Sequence, residues 1–197
     1  MASEEGGWQV STGNLAIGTG TVAQSIPVTR PDGTFEIRGI GPARFRLSVT
    51  LPGDLSKIWR ARTAIAGGRG LFDDTLEMVP GMNLGDVIIT LTDARTELSG
   101  TLQTGEGQPA MDYYIVAMSA DRTMWRPRSR RVLSARPATD GRFVFADLPA
   151  GEYLLIALTD LDPIELGDPA FLGQLAPSGV RVTIAEGEKK VQDLRMR

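Results

Sequence analysis

The sequence predicts an all-β chain built as two tandem β-sandwich modules, with one short helix in the second. Three observations predict it. The stretch Thr139–Leu158, TDGRFVFADLPAGEYLLIAL, reads as turn, strand, tight connection and strand. A similar stretch, Pro31–Thr50, PDGTFEIRGIGPARFRLSVT, lies 108 positions earlier and aligns with it without a gap. The composition, with 23 Gly and 12 Pro in 197 residues, favours many short strands joined by turns over long helices.

In the later copy, Asp140-Gly141 is a turn pair, since Gly takes positive φ without steric cost and Asp can bond its own backbone two residues on. Phe143 and Phe145 then fall on one face of an extended segment, Tyr153, Leu155 and Ala157 on one face of a second, and Leu148-Pro-Ala-Gly151 bends the chain between them. In the earlier copy Asp32, Gly33 and Phe35 match identically, while Ile37, Ile40, Phe45 and Leu47 match Phe145, Leu148, Tyr153 and Leu155 in kind. A second echo relates Gly81, Asp86, Val87 and Ile89 to Gly187, Asp193, Leu194 and Met196. Two copies of one module follow, at 8–94 and 95–197, each of a size that can bury a core.

Along the chain, Met1–Gly7 reads as disordered, and the opening strand of the first module is expected between Trp8 and Ile26, where Leu15–Ile17 and Val22–Ile26 are short apolar runs. With no clear Gly-x-Pro lead-in there, the chain reads as starting partway into a longer protein. Phe35–Arg38 and Arg44–Thr50 are expected to form a strand pair, followed by strands at Ile58–Ala66, Leu76–Val79 and Asp86–Thr92 and a glycine turn at Gly67–Gly70. The run Val87–Leu91, apolar on both faces, predicts a central or interface strand. The short junction Thr92–Thr96 predicts modules that touch end to end. The second module continues with strands at Glu97–Leu102, Tyr113–Ser119 and Arg131–Arg136. A helix is expected at Asp168–Ala176, with Asp168 as N-cap, Pro169 in the first helical position and Phe171, Leu172 and Leu175 at helical spacing. Val180–Ile184 and Val191–Met196 complete the set.

These residues carry a resemblance. Asp140-Gly141, Phe143-x-Phe145, Leu148-Pro-Ala-Gly-x-Tyr153 and the closing Gly187-Glu188 with Asp193-Leu194 resemble the carboxypeptidase regulatory-like domains, relatives of the collagen-adhesin B-type and transthyretin-like sandwiches. The pattern covers about Glu97–Arg197, and more loosely Val22–Thr92. It implies an immunoglobulin/transthyretin-like fold and a non-catalytic, structural or protein-interaction segment of a larger extracytoplasmic bacterial protein, with any export signal outside this sequence. The Lys–Asn cross-link of some B-type domains is not expected. The only lysines are Lys57, Lys189 and Lys190, the only asparagines Asn14 and Asn83, and neither module has Lys on its first strand with Asn on its last.

Composition narrows the chemistry further. Net charge is −3 with a pI near 5.1, which gives no reason to expect nucleic acid or an anionic membrane surface as partner. No run approaches the eighteen or so apolar residues of a membrane helix. Cys and His are both absent, which removes disulfides, thiolate catalysis, His-dependent triads and the usual zinc sites. No cofactor is implied, since Gly67-Gly-Arg-Gly70 lacks the Lys-Ser/Thr ending of a phosphate loop.

Four candidate sites remain, and the expected partner is a protein or a polysaccharide. The connection DRTMWRPRSRRVLSAR places Arg126, Arg128 and Arg130 around Trp125. It reads either as a solvated hairpin or as an anionic-sugar site with Trp125 stacking and the guanidiniums forming forked bonds. Leu154 and Ile156 stand where the first module has Arg46 and Ser48, so something covers them: the Asp168–Ala176 helix, the neighbouring module or a partner, the last making them interface residues and leaving the oligomeric state open. Asp160, Asp162, Glu165 and Asp168 offer oxygen ligands without EF-hand spacing. Trp59, Tyr113 and Tyr114 are possible stacking residues, although adjacent Tyr113 and Tyr114 must point to opposite faces of a strand.

Overall fold

The computed structural model describes residues 9–14 and 29–196. The chain divides into two compact units, Met1–Asp93 and Ala94–Arg197. No helix among the described residues is long and apolar enough to cross a membrane. The expected runs at Leu15–Ile17 and Val22–Ile26, and the expected disorder of Met1–Gly7, lie outside the described residues.

The described residues of the first unit form two three-stranded sheets. In one, β2 (Ala43–Thr50) lies between β1 (Gln9–Asn14) and β5 (Leu76–Met78), antiparallel to both. In the other, β3 (Arg60–Ala66) lies between β4 (Arg69–Gly70) and β6 (Ile88–Thr92). A short helix that the sequence reading missed, α1 (Gly53–Ile58), precedes β3. Its signals are local: Pro52 at the N-cap, Asp54 in the first turn and Lys57 in the last, their side chains 2.8 Å apart. The unit's core joins Ala64, Ala66, Leu71 and Phe72 to half-buried Leu47, Val49, Val87 and Ile89.

Two expectations for this unit are corrected. Phe35–Arg38 is irregular and no described strand pairs with it, so the local alternation found no ladder to join. The strand within Val87–Leu91 is not central: among the described residues β6 pairs only with β3, and Ile88 is 67% exposed opposite Ile65 at 44%.

The second unit is built from two four-stranded sheets. One has the order β12 (Val180–Ile184), β11 (Gly151–Leu158), β8 (Tyr114–Ser119), β9 (Val132–Ala135), all antiparallel. In the other, β7 (Glu97–Gln103) pairs antiparallel with β10 (Arg142–Ala146) and parallel with β13 (Lys189–Val191) and β14 (Leu194–Arg195). Strands β10 and β11 therefore form no hairpin, and Asp147–Ala150 carries the chain from one sheet to the other. Between the sheets lies one core: Leu98 and Leu102 of β7, Phe143 and Phe145 of β10 and Leu194 of β14 meet Ile115, Ala117, Tyr153, Leu155, Val182 and Ile184. The helix α2 (Pro169–Leu175) forms as expected, Asp168 Oδ1 accepting from the Ala170 amide at 2.8 Å.

The two related stretches fold alike up to a point. Asp32 Oδ1 accepts the Thr34 amide at 2.9 Å and Asp140 Oδ1 the Arg142 amide at 3.0 Å, with Gly33 and Gly141 at φ of 82° and 79°. Strands β2 and β11 each run eight residues, 108 positions apart. Their neighbours repeat the register as well. Ala43 and Phe45 oppose Met78 and Leu76, as Gly151 and Tyr153 oppose Ile184 and Val182, while Asn14 opposes Phe45 as Ser119 opposes Tyr153.

Candidate functional site

In the sheet β12-β11-β8-β9 the central strands β11 and β8 are buried on both faces, and the sheet's outer face carries the first two candidate sites. Alternation along β8 and β11 sends Val116, Met118, Leu154 and Ile156 away from the main core. They form a second core with Trp125, Val132, Leu161 and Leu172. Leu172 of α2 is fully buried there, so the helix supplies the cover and Leu154 and Ile156, 7% and 4% exposed, offer no interface. The two side chains are corrected from interface to core.

Trp125 is also a core residue, 4% exposed, with its indole Nε1 donating to the Ser119 carbonyl at 2.7 Å. An aromatic platform for a sugar needs an open face; the Trp125 ring lies in the second core, beside Gly173 of α2 and with the Arg122 guanidinium 5.4 Å from its centroid. The stacking role is corrected accordingly. The surrounding connection is tied to the scaffold at several points. Asp121 caps the turn Arg122–Met124, accepting from the Thr123 amide and hydroxyl at 2.9 and 2.8 Å, and these bonds, the backbone one first, hold its carboxyl below the usual range. Arg126 Nε donates to the Thr123 carbonyl at 2.8 Å. Arg128 sits at φ of 57°, and neither Arg128 nor Arg130 is without an interaction partner. The structure thus brings Arg126, Arg128 and Arg130 onto one connection and takes Trp125 out of their reach as a stacking surface.

Tyr113 and Tyr114 do diverge as expected, Tyr113 toward the inter-sheet core and Tyr114 toward the second core, where Arg136 donates to its hydroxyl and lies 4.3 Å from its ring centroid. Trp59 belongs to the other unit and is partly exposed at the C-terminal end of α1. The acidic segment is used in local turns: Asp160, Asp162 and Asp168 accept the amides of Leu161, Ile164 and Ala170 at 2.9, 2.9 and 2.8 Å. Among the described residues no group of three or more acidic side chains is placed to hold a metal ion.

No family model matches the chain, and no curated protein matches it. Among solved structures it is similar to the Bacillus anthracis TIE protein, at 11% identity and a TM-score of 0.33, over 98% of this chain and 30% of that one. It is also similar to a streptococcal ancillary pilin, at 12% identity and a TM-score of 0.35, over 98% of this chain and 58% of that one. The chain spans less than two thirds of either protein, and at those scores neither alignment establishes a shared fold or role.

Two residues that hold the crossover within the second unit were not singled out as sites in the sequence. Tyr153, fully buried, donates from its hydroxyl to the Pro149 carbonyl at 2.6 Å, while Arg131 donates to the Ala150 carbonyl at 3.0 Å. Together they fix the crossover between the sheets, which gives the Leu-Pro-Ala-Gly-x-Tyr pattern its physical reason. At the other end of the unit, Gln192 donates its amide to Ser99 at 2.8 Å and its carbonyl lies over Gly100, where a side-chain carbon would come within 2.0 Å of the oxygen.

In the first unit a groove of about 680 Å³ is lined by Gly33–Ile40, Met82–Val87 and the side chains of Leu47, Leu71, Leu76 and Met78. Phe35, Ile37 and Ile40 are half-buried along it, whereas their sequence counterparts Phe143, Phe145 and Leu148 are buried. The signal for it in the sequence was the alternation at Phe35 and Ile37, read there as a paired strand.

Proposed function

We propose that the chain is a duplicated β-sandwich module of the carboxypeptidase regulatory-like kind, working as a non-catalytic, load-bearing and protein-contacting segment of a larger extracytoplasmic bacterial protein. The repeated turn hydrogen bonds and the repeated registers around β2 and β11 support the duplication. The extracytoplasmic setting rests on the motif resemblance.

One observation carries the load-bearing role. In the second unit the first strand, β7, and the last strands, β13 and β14, are parallel neighbours. Tension applied at the two ends of such a unit pulls adjacent parallel strands in opposite directions along their length. The ladder bonds then share the load and must break together, whereas a hairpin pulled open at its ends loses them one at a time. Forced unfolding is governed by the unfolding barrier, which this geometry raises.

The test is single-molecule extension of the chain held by its ends. A discrete high-force rupture releasing residues 94–197, at about 3.5 Å per residue, is expected. Featureless extension of that unit refutes the load-bearing role, and turnover of generic glycoside or ester substrates by the purified chain refutes the non-catalytic one.

A further inference from the structure

Positive charge in the second unit is concentrated on one connection. The segment Asp121–Arg136 carries six arginines and one aspartate, a net charge of +5 in a chain of net charge −3. The other residues are left at −8, with fifteen basic against twenty-three acidic side chains. A patch of one sign on a molecule of the other attracts partners slender enough to meet the patch alone.

The connection is also held in place. Asp121 caps the turn Arg122–Met124, the Trp125 indole is bonded to the Ser119 carbonyl, and the Ser129 amide donates to the Arg126 carbonyl at 3.1 Å, closing a second turn. Pro127, at the second position of that turn, packs on Gly167, where a side-chain carbon would come within 3.3 Å of it. Arg128, at the third, is exposed and holds φ of 57°, a left-handed conformation that glycine adopts without steric cost. The turn therefore keeps a guanidinium where the backbone favours no side chain.

Arg122 is held differently. The residue is exposed, and its guanidinium lies 5.4 Å from the centroid of the buried Trp125 ring. No hydrogen bond or ion pair among the described residues takes up its side-chain N–H groups. Trp125 thus backs the guanidinium instead of meeting a ligand itself. Stacked there, Arg122 has lost rotamer freedom before any ligand arrives and still has its donors to give.

We propose that this connection binds an anionic polysaccharide, a single chain bearing carboxylate or sulfate groups. Arg122 and, beyond the partner it already has, Arg128 are the principal contacts. Arg126 and Arg130, half-buried and engaged within the protein, add to the field. A planar guanidinium meets either acid group with paired N–H···O bonds, and the repeat of the polymer offers one group to each arginine. Two other polyanions fit less well. Single-stranded nucleic acid binds by stacking its bases on open aromatic rings, and the ring here is buried. An anionic membrane is a plane of charge that the acidic remainder of the molecule meets as well. Nothing in this contact depends on the duplication.

The test is fluorescence anisotropy of labelled oligosaccharides on the full chain. A polygalacturonate fragment probes the carboxylate, a heparin fragment the sulfate, and neutral dextran is the blank. Saturable binding to at least one acidic fragment and none to dextran is expected, with affinity falling about tenfold between about 50 and 200 mM salt. Arg122→Gln and Arg128→Gly should each weaken binding about fivefold or more. Tm should be unchanged in the first and unchanged or raised in the second, where glycine suits the turn. Arg122→Lys keeps the charge but loses the fork, and should not restore binding. The proposal is overturned if neither acidic fragment saturates, if Arg122→Gln and Arg128→Gly bind as the unaltered chain does, or if affinity falls only together with Tm. It is equally overturned if oligothymidylate or phosphatidylglycerol vesicles bind more tightly than either fragment, which would make the partner a nucleic acid or a membrane.

Discussion

Asp193 accepts two hydrogen bonds from Thr101 on a single carboxylate oxygen, from the backbone amide at 2.8 Å and from the hydroxyl at 2.9 Å. The bonds fall in the gap between β13 and β14, where Asp193 interrupts the parallel ladder to β7. A side chain thus replaces the missing main-chain acceptor, and the last strands stay in register with the first across the break.

Removing that acceptor leaves the Thr101 amide without its partner. Asp193→Ala is expected to lower unfolding stability by about 1–3 kcal/mol, and Thr101→Val, which spares the amide bond, by less. Denaturant unfolding with unchanged slope checks both, and equal losses would show that the hydroxyl carries the contact.

Gly100 makes the closing segment possible by having no side chain. Gly100→Ala places a carbon 2.0 Å from the Gln192 carbonyl oxygen and 2.9 Å from the Phe143 ring, and the oxygen belongs to backbone. Overpacking of this kind costs about 1–3 kcal/mol or more. The expected result is release of Lys189–Arg195, read as fast hydrogen exchange there while β8 and β11 stay protected. Uniform exchange at the wild-type rate would contradict it.

Tyr153→Phe deletes one hydroxyl from a buried position without changing the ring. The Pro149 carbonyl loses its donor, and the expected cost is about 1–2 kcal/mol. Because Arg131 lies 3.5 Å from the same hydroxyl, its reach to Ala150 should loosen as well. Thermal unfolding of Tyr153→Phe and Arg131→Met separately and together measures the coupling, and strict additivity would mean that the two act independently.

How much of this was legible beforehand follows from the range of the interactions involved. The Asp-Gly turns, the Asp168 cap and the Pro169 start of α2 act within a few residues, and each stands where the sequence put it. Strand β11 was legible because the crossover residues Leu148–Tyr153 form a local pattern. Phe35–Arg38 has the same local pattern as Arg142–Ala146, but a strand exists only with a partner, and Phe143 has β7 where Phe35 has a groove. Trp125 looked like a surface residue among arginines; only the fold of β8, whose Ser119 carbonyl takes its indole N–H, puts it inside. The Thr101–Asp193 pair joins residues from opposite ends of the unit, and no local spacing announces it.

Acidity should weaken the closing turn. Glu188 Oε2 accepts the Ala185 amide at 2.7 Å, and that bond, with a lesser contribution from Lys190, holds its carboxyl below the usual range. A carboxyl depressed in the folded state contributes stability that is present above its unfolded value, near 4.5, and is lost as pH falls through the lower folded value. Glu188→Gln should therefore destabilise the protein slightly at pH 7 and flatten the fall of Tm between pH 5 and pH 2. Parallel Tm curves for the two proteins would remove Glu188 from the acid response.

Leu172 decides whether the outer face of the second unit stays dry. It is fully buried in the second core with Leu154, Ile156 and Trp125, and it is the one residue of α2 that is. Leu172→Ala leaves a cavity beneath a seven-residue helix that has little stability of its own, at an expected cost of about 2–5 kcal/mol. Once the helix lifts, Leu154 and Ile156 become an exposed apolar pair on a sheet, and concentration-dependent association should appear by sedimentation. Val144→Ala, at a residue 52% exposed, is the control and should change neither stability by more than about 0.5 kcal/mol nor mass. Leu172→Ala that loses stability yet remains monomeric would show that the Trp125 connection can shield the face without the helix. Adding Trp125→Ala should then bring on the association.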